Sequence, residues 1–186
     1  SICAGACASA VVFPLACDAE GKLSLDAVRA LEARLSGMDA VLFGCGVGQS
    51  EELRLLLKRL LQNCRMPLVL DADGINALSG HIDTLSCRRG LTTVLTPHDG
   101  ELARIGGDMT APRESSAAAF AARHGVCLVR KGHRTVIAAP DGRLAVNTTG
   151  SDGMAKGGSG DVLTGIAAAM AGQLPWRRAV LTAAYL

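Results

Sequence analysis

Asp161 stands directly behind the glycines Gly157, Gly158 and Gly160 and at the head of an apolar stretch, inside the segment NTTGSDGMAKGGSGDVLTGIAAAMAG (147–172). Glycine reaches backbone angles closed to other residues, so successive N–H groups of such a loop can converge on one centre. Val162, Leu163, Ile166, Ala169 and Met170 follow at helical spacing, which sets the loop at the positive end of a helix. A phosphate is the expected guest. The dipole itself contributes only about 0.3–1 kcal/mol, whereas losing one donor aimed at developing charge costs roughly a hundred- to a thousandfold in rate. The aimed amides therefore matter more. A carboxylate beside bound phosphate is repelled unless it takes a proton from the substrate, so Asp161 reads as a base at a phosphoryl-transfer site. The alternative is a helix cap, its oxygen accepting N–H groups of the first turn.

Such a loop needs a frame. Short β-branched or leucine-rich runs alternate with helical patterns, the pattern of a parallel sheet covered on both faces. Strands are predicted at Asp39 to Phe43, Pro67 to Asp71, Thr92 to Thr96 and Val126 to Arg130. Leu25, Val28, Leu31 and Leu35 follow a Ser24 cap at helical spacing, and Leu53 to Leu61 makes a second apolar helix. Thr135 to Ala139 and Arg143 to Val146, joined by Pro140-Asp141-Gly142, read as a hairpin.

In such a sheet the loops leaving the carboxyl ends of the strands share one edge, where ligands bind. The unusual residues fall there: GCGVG (44–48), DADGIN (71–76), TPHDGE (96–101) and KGHRT (131–135). GCGVG lacks the GxGxxG spacing, and no GK[ST] follows any glycine loop. It offers either close backbone approach to a ligand or a tight strand-to-helix turn. His98, after Pro97, can bond a substrate amide or phosphate, or be a surface histidine at a helix start over Glu101 to Ile105. Lys131 and the backbone of its loop suit a nucleotide's phosphates or ribose, or make an ordinary basic turn. Asp71 could assist a metal or the substrate, while Asp73 and Asn76 shape the turn.

The 186 residues suit one domain, and a net charge of +2 with interleaved signs and five aromatics argues against a nucleic-acid surface. Seven scattered cysteines without CxxC spacing read as small apolar residues in a reducing compartment rather than a metal or disulfide framework. No apolar run approaches the roughly 20 residues of a membrane span. The expected setting is the cytoplasm, with no membrane partner and a homo-oligomeric state.

Taken together, DADGIN, TPHDGE, KGHRT and NTTGSDGMAKGGSGDVLTGI resemble the ADP-dependent NAD(P)H-hydrate dehydratase family, from about Asp39 to the end of the chain. The resemblance implies a ribokinase-like, three-layer α/β/α fold with a mostly parallel central sheet and helices on both faces. It implies repair of the hydrated cofactors NADHX and NADPHX at the expense of ADP or ATP carrying Mg²⁺, releasing AMP and phosphate from ADP. Carried over, Lys131, Gly132, His133, Arg134 and Thr135 contact the adenine nucleotide together with Gly157, Gly158, Ser159 and Gly160. Gly46, His98 and Asp161 face the hydrated cofactor, and Asp161 is the catalytic base. No protein metal ligand is implied.

The chain departs from the family pattern in four places. Cys45 replaces the proline of GPGLG, Asp99 a proline after the histidine, Asp152 the proline of GNPGMA, and Lys156 a Thr or Ser beside the phosphate loop. Ser1 to Leu15 carries no match to the family's AGSxxYTGAA-like loop, and the chain stops at Tyr185-Leu186, so a single domain over 1–186, truncated at both ends, is expected. Two rivals remain: a thiamine-precursor or sugar kinase of the same fold, and an inactive nucleotide-binding module.

Overall fold

A computed structural model describes residues 9–35 and 37–185 of the chain. The alternation predicted from the sequence becomes one sheet of β1 (Val41–Phe43), β2 (Leu68–Leu70), β3 (Thr93–Leu95), β4 (Cys127–Arg130), β5 (Val136–Ala138) and β6 (Leu144–Val146). Between and after them lie α1 (Leu25–Leu35), α2 (Glu51–Asn63), the single turn α3 (Asp73–Asn76), α4 (Asp99–Arg104), α5 (Arg113–His124), α6 (Ser159–Ala171) and α7 (Trp176–Tyr185). A 3₁₀ segment, Ile82–Arg88, precedes β3.

The strands lie in chain order. β1 to β4 run parallel, and β5 and β6 pair antiparallel as the predicted hairpin, with Ile137 opposite Ala145. Parallel crossovers are right-handed, so an unbroken order sends every connecting helix to one face. Leu53, Leu56, Leu57 and Leu60 of α2 and Phe120 of α5 accordingly pack on Leu68, Leu70, Leu95 and Leu128. The opposite-facing Val69, Val94, Cys127 and Val129 are covered by Ala168 of α6 and Val180 of α7. The result is the expected three-layer α/β/α arrangement.

Sequence chemistry explains the boundaries. α2 begins two residues before the predicted Leu53 because Ser50 caps it, accepting from the Leu53 N–H at 3.1 Å, with Glu51 and Glu52 in the first turn. Its five buried leucines (Leu53, Leu56, Leu57, Leu60, Leu61) drive its docking, each contributing about 1.5–3 kcal/mol. α5 ends at Gly125 in the left-handed conformation, φ +69°. The strands are shorter than predicted, but their ladders run one residue further: Asp71 N–H donates to Phe43 O and Thr96 N–H to Leu70 O, both at 3.2 Å. Those extra bonds deliver the first residues of the DADGIN and TPHDGE loops to the carboxyl edge in fixed positions. Among the described residues no helix is long and apolar enough to cross a membrane.

Candidate active site

The first loop is held by contact between main chains. Gly44 has φ +126°, and a Cβ there would lie 2.0 Å from Asp71 O and 2.5 Å from Gly74 N. This glycine serves a tight turn that lets GCGVG cross DADGIN. Asp73 pins the far end of the loop, accepting from Gly48 N–H at 2.9 Å and Gln49 Nε2 at 3.0 Å. Asn76 accepts from Arg104 at 2.7 Å, so both residues shape the turn as read from the sequence. Gly46 is exposed, with open space where a side chain would be.

At the head of α6 the N-cap is Gly158, left-handed at φ +90°, and no side chain caps the helix. Asp161 falls in the third helical position, exposed, so the capping alternative does not describe it. Of the loop glycines only Gly158 occupies the left-handed region. Gly160 is tight for a different reason: a Cβ there would lie 3.2 Å from Lys131 Nζ and press on that ammonium. The N–H groups of Gly157, Gly158, Gly160 and Asp161 have no acceptor among the described residues. Ser159 spends both its N–H (3.3 Å) and its hydroxyl (2.8 Å) on Lys156 O, which tightens the loop from within. Four open amides at a helix N-terminus form an anion cradle, with an exposed carboxylate in its rim.

Beneath the cradle sits a buried polar knot. Asp71 Oδ1 accepts from Lys131 Nζ at 2.7 Å, and Oδ2 accepts from the Thr164 hydroxyl at 2.7 Å. The side chains of Lys131 and Asp71 are 19% and 2% exposed. Cys45 completes the cluster, its sulfur and an Asp161 oxygen lying within 4.8 Å of each other. Its pKa is pushed up to about 12, first by burial, then by the facing carboxylates of Asp161 and Asp71, with Lys131 acting the other way.

The last two loops are joined by Lys131 N–H donating to Pro97 O at 2.8 Å. His98 caps α4: Nδ1 accepts from Glu101 N–H at 3.2 Å while Glu101 Oε2 accepts from His98 N–H at 2.9 Å. Nε2 lies 3.5 Å from Glu101 Oε1, on a ring that is 54% exposed. In KGHRT, Gly132 and Arg134 have φ +147° and +58°, the Thr135 hydroxyl closes the turn onto Gly132 O at 3.1 Å, and His133 and Arg134 are exposed. Asp99 braces the turn by accepting from Arg113 at 2.6 Å and Arg130 at 2.8 Å, and Arg113 donates to Lys131 O at 3.1 Å.

Cys45, Asp71 and Asp161 bring one ligand atom each within 4.8 Å of one another. Both oxygens of Asp71 are engaged and the thiol is soft and protonated, which leaves Asp161 as the free hard donor. That set suits a magnesium ion delivered on nucleotide phosphates rather than one held in a protein cage.

Cys64 and Cys127 are buried as expected, but Cys17 and Cys87 are exposed and Cys45 joins a polar cluster, so the uniform apolar reading of the cysteines is corrected. Cys3, Cys7 and Leu186 lie outside the described residues. Sequence reading missed Thr164, Cys45, Arg113 and Arg130. Thr164 carried a signal, being a polar residue among Val162, Leu163 and Ile166 in an apolar helix. Cys45 was marked only as a departure from the family's proline, and nothing local marks Arg113 or Arg130.

The chain matches the family described as NAD(P)H-hydrate dehydratase over residues 4–186. It is 45% identical over 157 residues to the bifunctional NAD(P)H-hydrate repair enzyme of Moorella thermoacetica, covering 82% of this chain and 29% of that one. Against the ADP-dependent (S)-NAD(P)H-hydrate dehydratase of Neisseria meningitidis it is 36% identical over 158 residues, 82% of this chain and 53% of the relative. The structure of the Bacillus subtilis ADP/ATP-dependent NAD(P)H-hydrate dehydratase co-crystallized with ATP/Mg²⁺ superposes with a TM-score of 0.68 at 30% identity, over 86% of this chain and 58% of that one. The chain thus spans about half or less of the length of the curated relatives it matches.

Proposed function

This chain belongs to the NAD(P)H-hydrate dehydratase family, and on that premise we propose that it catalyses nucleotide-dependent dehydration of NADHX and NADPHX to NADH and NADPH, a lyase reaction. The observation that carries the reading is the juxtaposition of four open amides, at Gly157, Gly158, Gly160 and Asp161, with the exposed carboxylate of Asp161.

In this reading the hydrate's hydroxyl gives its proton to Asp161 as its oxygen attacks the terminal phosphorus of ADP. The bond from that phosphorus to the bridging oxygen breaks and AMP departs. The resulting phosphate ester loses phosphate, pushed by the ring-nitrogen lone pair, and loss of the neighbouring proton restores the dihydropyridine. Amides of the Gly157 to Gly160 loop hold the transferring charge, so positioning and electrostatics carry most of the catalysis. Magnesium arriving with the nucleotide supplies neutralising charge to its phosphates. The Lys131 to Thr135 turn, braced by Asp99 and Arg113, offers exposed backbone and cationic side chains to the adenine nucleotide. Gly46 and the exposed ring of His98 face the hydrated cofactor. A reducing, cytoplasmic setting and a homo-oligomer belong to the same proposal.

The test is incubation of the chain with NADHX or NADPHX and with ADP and ATP in parallel. Recovery of reduced-nicotinamide absorbance with AMP and phosphate release from ADP supports the reading. A stable phosphorylated alcohol would make the protein a kinase, and nucleotide binding without any product would make it an inactive module.

A further inference from the structure

Thr164 is fully buried, one turn beyond Asp161 on the same helix. Its hydroxyl lies 2.7 Å from Asp71 Oδ2 and 2.6 Å from Gly160 O, two acceptors for a single proton. Both acceptors lie within reach, and the Asp71 carboxylate, which pairs with the Lys131 ammonium, is the stronger of the two, so the hydroxyl proton goes to it. Asp71 is itself anchored and buried. Its other oxygen takes Lys131 Nζ at 2.7 Å, and its N–H extends the β1–β2 ladder to Phe43 O at 3.2 Å. The first turn of α6 therefore hangs from the end of β2 through one hydroxyl.

The rest of that turn has little to hold it. Asp161 and Val162 are exposed, Val162 at 63%, and Gly158 and Gly160 contribute no side chains. The direction of the Asp161 carboxylate and the aim of the Gly160 amide follow from where the turn sits on the sheet. A displacement of about 1 Å at a reacting group can cost roughly a hundredfold in rate.

We propose that Thr164 is a positioning residue: by latching the first turn of α6 to Asp71 it sets the Asp161 carboxylate and the open amides at the place where phosphoryl transfer occurs. The turnover readout rests on the function proposed above; the exchange readout does not.

The experiment compares Thr164→Val, which keeps the shape and loses the hydroxyl, with Thr164→Ser, which keeps the hydroxyl, in the 186-residue chain. Amide hydrogen exchange in the first two turns of α6 should accelerate roughly tenfold or more in the valine variant, as expected for a hydroxyl withdrawn from a charged acceptor. The serine variant should retain the parent rates. With ADP and NADHX, valine should lower kcat by roughly tenfold or more while leaving KM for ADP unchanged, the signature of lost positioning. Serine should restore kcat. Should the valine variant not fold, Thr164→Ala carries the same expectations. Parent-like exchange and kcat in the valine variant would overturn the proposal, as would a serine variant as impaired as valine. If the parent chain itself does not turn over NADHX, the functional reading fails while the exchange comparison still decides the latch.

Discussion

Replacing Lys131 by methionine removes the cation from a carboxylate that water barely reaches. The gross attraction of two unit charges 2.7 Å apart is about 6 kcal/mol at an effective dielectric constant near 20. Desolvation of both groups offsets much of that, and breaking a buried pair by deleting one partner costs about 3–5 kcal/mol in practice. Lys131 remains 19% exposed and Asp71 keeps its bond from Thr164, so the lower figure of about 3 kcal/mol applies. For a chain of this size that lowers Tm by about 6–12 °C. Urea unfolding of the parent, Lys131→Met, Asp71→Asn and the double variant gives the assay. The double variant no longer buries an unpaired carboxylate, so it should be more stable than the sum of the single losses predicts, with a coupling of about 2 kcal/mol. Additivity within about 0.5 kcal/mol would mean that the bridge does not hold the site together and would refute the reasoning.

Three further outcomes follow from the geometry. Gly44→Ala puts a Cβ 2.0 Å from Asp71 O at φ +126°, and overpacking plus backbone strain should cost about 3 kcal/mol or more in urea unfolding; parent-like stability would contradict the crossing of the two loops. Cys45, at about 12 against an ordinary 9.0, carries roughly a thousandfold less thiolate than an unperturbed cysteine. Iodoacetamide should therefore label exposed Cys17 and Cys87 well before Cys45, and Asp161→Asn should hasten Cys45 labelling; equal rates in the parent would count against the cluster. Burial alone would raise Asp99, but Arg130 and Arg113 outweigh it and hold the carboxyl below its usual 3.8. Its stabilising contribution is thus present above that pH and lost as the pH falls through the depressed value, so Asp99→Asn should be less stable than the parent at about pH 7 and approach it as the pH falls through that depressed value, a trend that unfolding at several pH values reads directly.

Much of the frame was legible because each helix and strand carries its own signal. The α2 leucines repeat at helical spacing whatever lies beside them, and Pro140-Asp141-Gly142 marks the hairpin without reference to the rest of the chain. Ends were harder to place, since they depend on single bonds such as the Ser50 cap or Asp71 N–H to Phe43 O. In the site, the glycine loop announced its anion cradle, and the exposed first-turn position of Asp161 followed only once Gly158 proved to be the cap. Lys131 illustrates the remaining gap. As one basic residue in a turn it reads as a phosphate contact, yet its ammonium is engaged by an acid 60 positions away, a pairing that only the register of β2 and β4 across β3 creates. Cys45 was visible as a departure from the family's proline, but its approach to Asp161 depends on the Gly44 crossing, which no local pattern records.

The central claim is that Asp161 deprotonates an acceptor beside amides that bind the migrating phosphoryl group, and Asp161→Asn tests it most directly because the two carboxamide and carboxylate shapes match while only one takes a proton. Single-turnover conversion of NADHX should fall by at least roughly a hundredfold, the lower bound of general-base catalysis, with ADP affinity by calorimetry preserved. Turnover retained in that variant would contradict the account.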